Sequence, residues 1–344
     1  MSVPPHSEQE LQPSPRESVE DRQPSREDRQ PSGRDPVDDR RAFRRESVED
    51  RQPSRRDRVP AWRLIVRLTR PRLSASVSLS AAAGHALAAG GLESGIAAPI
   101  LGCLLLAAGA TALNQLQEKD LDARMQRTRR RPLPAGETTP GFVLAMSLAM
   151  IAGALIVLYA AAGVAAAALG LLAIVWYNGL YTWLKRRSAF AAVPGAVIGA
   201  LGPAIGWAAA GGSLLAPEIW GLMLIFYLWQ VPHFWLLDLC FPRDYRDAGY
   251  PSASAVFGAS RLQRLVFVWT VATASAALML PLFGYLRHPV LYGLLCAAGV
   301  GVALLAGGLV RRGEAERRRI RRGFAGINVF LFVTMVLLLV DQGI

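Results

Sequence analysis

Lysine is nearly missing: among 38 basic residues it occurs at two positions, Lys119 and Lys185. Cysteine is almost as scarce. Cys103, Cys240 and Cys296 sit in or beside apolar stretches without CxxC spacing, which argues against a disulfide framework or a zinc site and makes them packing residues. Charge of either sign is absent from long stretches after residue 73, while residues 1 to about 60 have almost no apolar clusters. That first segment is dense in Arg, Asp, Glu, Ser and Pro, and repeats ESVEDRQPSR at 17–26 and 46–55. It buries too little apolar surface to offset the entropy of ordering, so residues 1–60 are expected to be a disordered tail. It has no apolar core segment of a signal peptide, and its repeats are too short and polar for a solenoid.

Residues 61–344 are expected to form one membrane domain. Nine apolar runs follow one another, at about 73–90, 96–114, 141–160, 162–182, 189–210, 215–239, 264–284, 289–310 and 324–341. Each is near the length that crosses a ~30 Å hydrocarbon core, which argues against a large soluble helical protein. The loops after runs 2, 4, 6 and 8 hold 6, 3, 4 and 7 Lys/Arg, and those after runs 1, 3, 5 and 7 hold only Arg287. By the positive-inside rule the N-terminus is cytoplasmic. The fold class expected is an all-α polytopic membrane protein with nine transmembrane helices. The formal charge of +12 then reports topology and membrane lipid, not nucleic acid.

Acids are costly within a bilayer, so their positions are informative. NQLQEKDLDARMQRTRRRPLPAG (114–136) spaces Asn114, Glu118 and Asp122 at i, i+4 and i+8, on one face of a helix and roughly 6 Å of rise apart. Such oxygen donors suit Mg²⁺, which takes the rest of its shell from water and phosphate oxygens. Lys119, Arg124, Arg127, Arg129, Arg130 and Arg131 crowd the same stretch, as a metal–diphosphate substrate would require. A solvated helix end with charge pairs fits the spacing equally well. A second region, WQVPHFWLLDLCFPRDYRDAGYPS (229–252), carries His233, Asp238, Asp244 and Asp247. Its spacing matches no standard metal motif, and a lone histidine is more often a packed core residue. Two acidic regions on one membrane face have room for two Mg²⁺ ions, or for one ion and a second substrate. A third, WYNGLYTWLKRRSAFAAVPGAVIGALGPAIGW (176–207), ends its first run in Lys185, Arg186 and Arg187. These charges are topogenic in part, yet both lysines of the chain fall in candidate regions, as a compact charge for phosphate would.

Together these segments resemble the UbiA-type intramembrane prenyltransferases and, within them, the protoheme IX farnesyltransferases (haem O synthases). LTRPRLS (68–74) is similar to the family's start of span 1, and NQLQEKDLDARMQRTRRRPL to its NxxxDxxxD motif followed by RTxxRPL. YNGLYTWLKRRSAF and WQVPHFW…DYRDAG resemble its later signatures. The resemblance runs from about residue 63 to the C-terminus. It implies a central cavity between spans 2, 4, 5 and 6, a bacterial inner-membrane location, and farnesyl transfer from farnesyl diphosphate to a vinyl group of haem B, a substrate and not a cofactor. Asn114, Glu118 and Asp122 would then hold the Mg²⁺ of the diphosphate, Asp120 would assist through water, and Asp244, the acid of a second motif, would be a further metal ligand. Lys119, Arg127, Arg129 and Lys185 would face phosphate, and Arg72, Asn178, Tyr181 and Arg186 would also bind substrate. His233 would orient the haem or act as a base. Downstream haem-modifying or oxidase-assembly proteins are the protein partners implied.

The chain departs from the family pattern at Glu118, where aspartate is usual, and at Val231 and Gly202, where proline is common. His85 is a further departure, an ionisable residue within span 1. Three rivals stand beside this reading. A quinone-precursor prenyltransferase would have a denser aspartate cluster after span 6. A transporter would have inverted repeats and mid-membrane ionisable groups, for which His85 is the sole candidate. An inactive binding homologue is kept open by Glu118.

Overall fold

The computed structural model describes residues 60–311 and 317–344, so the expected tail lies, but for Pro60, outside the described residues. All secondary structure among the described residues is helical. The long helices are α1 (Ala61–Thr69), α2 (Pro71–Ala89), α3 (Ala97–Gln117), α4 (Pro140–Ile174), α5 (Val197–Ala209), α6 (Pro217–Cys240), α7 (Ala259–Leu278), α8 (Pro289–Val310) and α9 (Arg317–Gly343). Proline opens α2, α4, α6 and α8, where its missing N–H costs no hydrogen bond.

Among the described residues six stretches are long and apolar enough to cross a membrane: Ser94–Gln117, Pro140–Leu184, Ala192–Ala209, Pro217–Cys240, Pro289–Val310 and Arg317–Gly343. The protein is a multi-pass membrane protein. Pro140–Leu184 covers 45 residues and breaks at Gly163, whose φ of 86° and ψ of 169° lie outside the helical region. Large apolar side chains such as Ile156, Tyr159, Val164 and Leu304 point outward. In water so much exposed apolar surface would be a liability, whereas in hydrocarbon it costs nothing.

The helices pack as two groups. In the first, α2 lies on α3, α3 on α4, α4 on α5, and α5 back on α2; in the second, α6, α7, α8 and α9 pack in turn and α9 returns to α6. Contacts of α5 with α6 and of α9 with α2 join the groups. The α2–α5 crossing is close enough to bring backbone against backbone. A Cβ added at Gly206 would meet the Ala81 carbonyl oxygen at 1.8 Å, and one at Gly84 the Pro203 oxygen at 2.0 Å. Gly202 and Gly206 thus form a small-xxx-small seam, the device that lets helices approach where lipid supplies no hydrophobic drive. At Gly202 an added Cβ would meet Ser80 Oγ at 2.2 Å, so this departure from the family's proline makes room for α2. Val231 is fully buried in the core of the second group, and His85 is buried in α2.

One expected element differs. The helix bearing Asn114, Glu118 and Asp122 is not continuous: α3 stops at Gln117, Glu118 takes φ −109° and ψ 9°, and a short turn of helix covers Lys119–Asp122. The i→i−4 ladder nevertheless runs through the break, with Glu118 N donating to Asn114 O at 3.0 Å and Asp122 N to Glu118 O at 2.8 Å. The shared face therefore survives the change of path.

Candidate functional site

Three segments that leave long helices converge at one end of the bundle: residues 118–139 after α3, the stretch around Lys185, and residues 241–258 after α6. The contacts among them are polar and specific. Asn114, Glu118 and Asp122, expected from spacing alone, are each at most 6% exposed. A merely solvated helix end would leave them open to water.

Each of the three has a partner from elsewhere in the site. Asn114 Nδ2 donates to Thr182 Oγ1 at 3.1 Å. Glu118 Oε1 accepts from Lys185 Nζ at 2.7 Å and from the Tyr250 hydroxyl at 2.7 Å. Asp122 Oδ2 pairs with Arg131 Nη1 at 2.5 Å, while Thr128 Oγ1 donates to the Asp122 carbonyl at 3.0 Å. Burial pushes the Asp122 carboxyl above its ordinary pKa, and the Arg131 charge beside it pulls the other way. Burial likewise lowers the Lys185 ammonium, with Glu118 opposing the shift. Two buried acids thus face two half-buried cations, so the charge is compensated pair by pair.

A π-helix over Val175–Tyr181 supplies the opposite wall, as such wide turns often do at functional sites. It turns Asn178 onto α3, where Nδ2 donates to Ala110 O at 3.0 Å and to Gln117 Oε1 at 3.1 Å. Gln117 Nε2 returns a bond to the Asn178 carbonyl at 2.9 Å. Asn178 Oδ1 is buried without a partner among the described residues, so an acceptor stands ready in the wall. Tyr177 and Tyr181 stack at 6.0 Å between ring centroids, and Tyr181 stacks on Phe234 of α6 at 5.3 Å. An aromatic column therefore runs from the π-helix to α6. At its far end His233 Nδ1 meets Asn328 Oδ1 of α9 at 2.9 Å, among the rings of Trp229, Phe234 and Phe324.

Asp244 is buried, but its carboxylate receives backbone N–H groups from the arginine-rich segment: Gln126 N on Oδ1 at 3.3 Å and Arg127 N on Oδ2 at 3.2 Å. Asp238 holds its own segment in the same way, with Ser254 N and Ser254 Oγ both at 2.8 Å. Arg127 lies over the Phe241 ring at 5.3 Å, and Arg186 donates to the Gln117 carbonyl. Lys119, Asp120, Arg127, Arg129 and Arg186 are exposed at the rim, and Arg72 is exposed on α2. Gln117, Asp120, Arg186 and Tyr250 line a cavity of about 320 Å³ beside the Glu118 carboxylate.

Several participants, among them Arg131, Thr128, Tyr250, Asn328 and Arg70, have no individual role assigned by the sequence. Arg131 and Thr128 lay within a quoted motif, but nothing in their spacing selected them from their neighbours. Tyr250 and Asn328 stand 132 and 95 residues from their partners, and no local pattern links such pairs. Arg70, left-handed at φ 48° and ψ 63° between α1 and α2, lies within the field of Arg131, Arg127, Tyr177 and Asp122.

Oxygen donors of this kind fit Mg²⁺. Among the described residues no three His, Cys, Asp or Glu side chains converge as a metal cage.

Comparison with known proteins places this geometry. The chain is 39% identical to the protoheme IX farnesyltransferase of Oleidesulfovibrio alaskensis over 80% of its own length and 95% of the relative's. It is 46% identical to the protoheme IX farnesyltransferase of Geobacter sulfurreducens over 63% of its length and 80% of that protein's. A UbiA homologue from Archaeoglobus fulgidus, solved with GPP and Mg²⁺, shares the fold at a TM-score of 0.59 and 15% identity, covering 80% of this chain and 99% of that one. Residues 77–334 match the UbiA prenyltransferase family, and with relatives this similar over most of its length the chain belongs to that family.

Proposed function

We propose that this protein transfers the farnesyl group of farnesyl diphosphate to a vinyl group of protoheme IX (haem B), giving haem O. The observation that carries the reading is the buried Asn114–Glu118–Asp122 set, faced by Lys185 and Arg131, in a chain 39% and 46% identical to two protoheme IX farnesyltransferases. Mg²⁺, when bound with the diphosphate, supplies a Lewis acid that draws off the charge of the leaving group. Asn114, Glu118 and Asp122 would hold that ion, and Asp120 would assist through water. Lys185, Arg131, Lys119, Arg127, Arg129, Arg186 and Arg72 provide cations for phosphate oxygens, the electrostatic share of catalysis. Asp244 fixes the arginine-bearing segment through its amides and so sets where those cations stand; this replaces a direct ligand role for it.

As diphosphate departs with the C–O electron pair, positive charge grows on C1 of the prenyl chain, and a dry, electron-rich wall stabilises it. Tyr177, Tyr181 and Phe234 form one, and Asn178 ties it to α3. Water adds to the alkylated vinyl group to complete the hydroxyethylfarnesyl side chain as diphosphate departs, and His233, held by Asn328, orients the haem or takes the proton that this water loses. The membrane frame proposed has nine spans: the six apolar stretches with Pro140–Leu184 counted on both sides of Gly163, together with α2 and α7. The N-terminus and the site face the cytoplasm of a bacterial inner membrane, where the arginine-bearing loops gather. Downstream haem-modifying proteins are the partners proposed.

Mass spectrometry of haems extracted from membranes expressing the chain tests this. Haem O is expected only when farnesyl diphosphate, haem B and Mg²⁺ are all present. A different prenylated product would reassign the acceptor, and turnover that survives excess EDTA would remove the metal.

A further inference from the structure

We infer that Tyr250 is a positioning residue for Glu118: its hydroxyl holds one carboxylate oxygen so that the other faces the metal–diphosphate. The inference rests on the metal role proposed above and extends it to a residue outside the aspartate-rich motif. Glu118 is one methylene longer than the aspartate usual at its position, and so has one more torsion to fix. An unrestrained carboxylate would lose that freedom on binding an ion, at a cost in affinity. Here the freedom is already removed. Oε1 accepts from both Lys185 Nζ and the Tyr250 hydroxyl, each at 2.7 Å, and no described group donates to Oε2.

The two holders are not equivalent. Lys185 is a cation, and an arriving diphosphate offers it a stronger acceptor than Glu118. Tyr250 carries no charge to be drawn away and cancels none of the carboxylate's. When Lys185 turns to phosphate, Tyr250 keeps Oε1 in place and leaves Oε2 to the ion. The backbone around Tyr250 is built for this duty. Gly249 turns the chain at φ 74°, Tyr250 N donates to Tyr245 O at 2.9 Å, and the rings of Tyr245 and Tyr250 lie 6.0 Å apart. The segment is pinned on either side, by Asp244 to the amides of Gln126 and Arg127 and by Asp238 to Ser254.

Calorimetric titration of the full chain in detergent, using Mg²⁺ and inorganic diphosphate as probes, tests the idea without any haem. Tyr250→Phe keeps the ring and deletes the hydroxyl. It is expected to weaken Mg²⁺-dependent diphosphate binding about tenfold, the worth of one hydrogen bond to a charged group. Diphosphate binding without Mg²⁺ should be unchanged. In the Glu118→Asp background the shorter carboxylate is beyond the hydroxyl's reach, so Tyr250→Phe should there have almost no effect, and the double-mutant cycle should show coupling. Unchanged Mg²⁺-dependent binding in Tyr250→Phe overturns the inference. Equal losses in both backgrounds also overturn it, because they assign Tyr250 to packing. A parent chain that binds no Mg²⁺–diphosphate overturns it together with the metal role. A chain that binds Mg²⁺–diphosphate with the expected coupling but makes no haem O upholds it and refutes only the acceptor.

Discussion

At the residue scale the centre of the site is two buried acids, Glu118 and Asp122, each paired with a half-buried cation. Asp122 is matched by Arg131, so removing either partner leaves the other stranded. Arg131→Met is expected to cost about 3 kcal/mol of stability, the penalty of an unpaired buried charge. It should appear as a lower thermal midpoint in detergent. Asp122→Asn combined with Arg131→Met should recover much of that midpoint while farnesyl transfer stays lost, which separates the structural share of the pair from the chemical one. Asp122→Asn alone is expected to abolish transfer at normal expression; retained activity would take Asp122 out of the metal shell. The glutamate at position 118 is accommodated, not merely tolerated, because Lys185 and Tyr250 meet its longer side chain.

At the scale of elements, what matters is how closely helices approach and where they break. The α2–α5 seam has no space for a side chain at Gly84 or Gly206. Gly206→Leu is expected to force the helices apart, at a cost at or above the ~1–3 kcal/mol typical of overpacking, with loss of folded protein on size-exclusion chromatography. A variant that elutes and unfolds like the parent would show that the crossing can spread. The π-helix at Val175–Tyr181 has a related role on the other side of the first group. In a regular helix residues three apart share a face; the wider π turn rotates Asn178 and Tyr181 apart, so that Asn178 meets α3 and Tyr181 meets α6.

At the scale of the whole molecule, two groups of helices meet around the charged end of the bundle, and arginines mark that end. If the proposed orientation holds, Arg186→Cys in a background without native cysteines is labelled by an impermeant maleimide only after the membrane is opened. Arg287→Cys should be labelled in intact cells; the opposite pattern would invert the topology. Deleting residues 1–55 is expected to leave farnesyl transfer unchanged in membranes, since the matched family region begins at residue 77. A dead truncation that still inserts would give the tail a role in catalysis.

The class of the molecule and the outline of its site were legible in the chain itself. Apolar runs without charge read as membrane helices because hydrocarbon tolerates little else, and Asn114, Glu118 and Asp122 could be paired by spacing because helical period is local. Even the break at Glu118 left that face intact, since the i→i−4 ladder persists through it. What spacing could not supply were the partners. Tyr250 on Glu118, Asn328 on His233 and the loop-clamping role of Asp244 depend on segments brought together from distant parts of the chain, while Arg131, nine residues from Asp122, is picked out from its neighbouring arginines by the path of its own segment. Those pairings are set by how α6 packs on α9 and by where the segments after α3 and α6 meet. Only the tertiary structure decides them, because a hydrogen bond forms at about 3 Å between particular atoms and a sequence pattern carries no such distance.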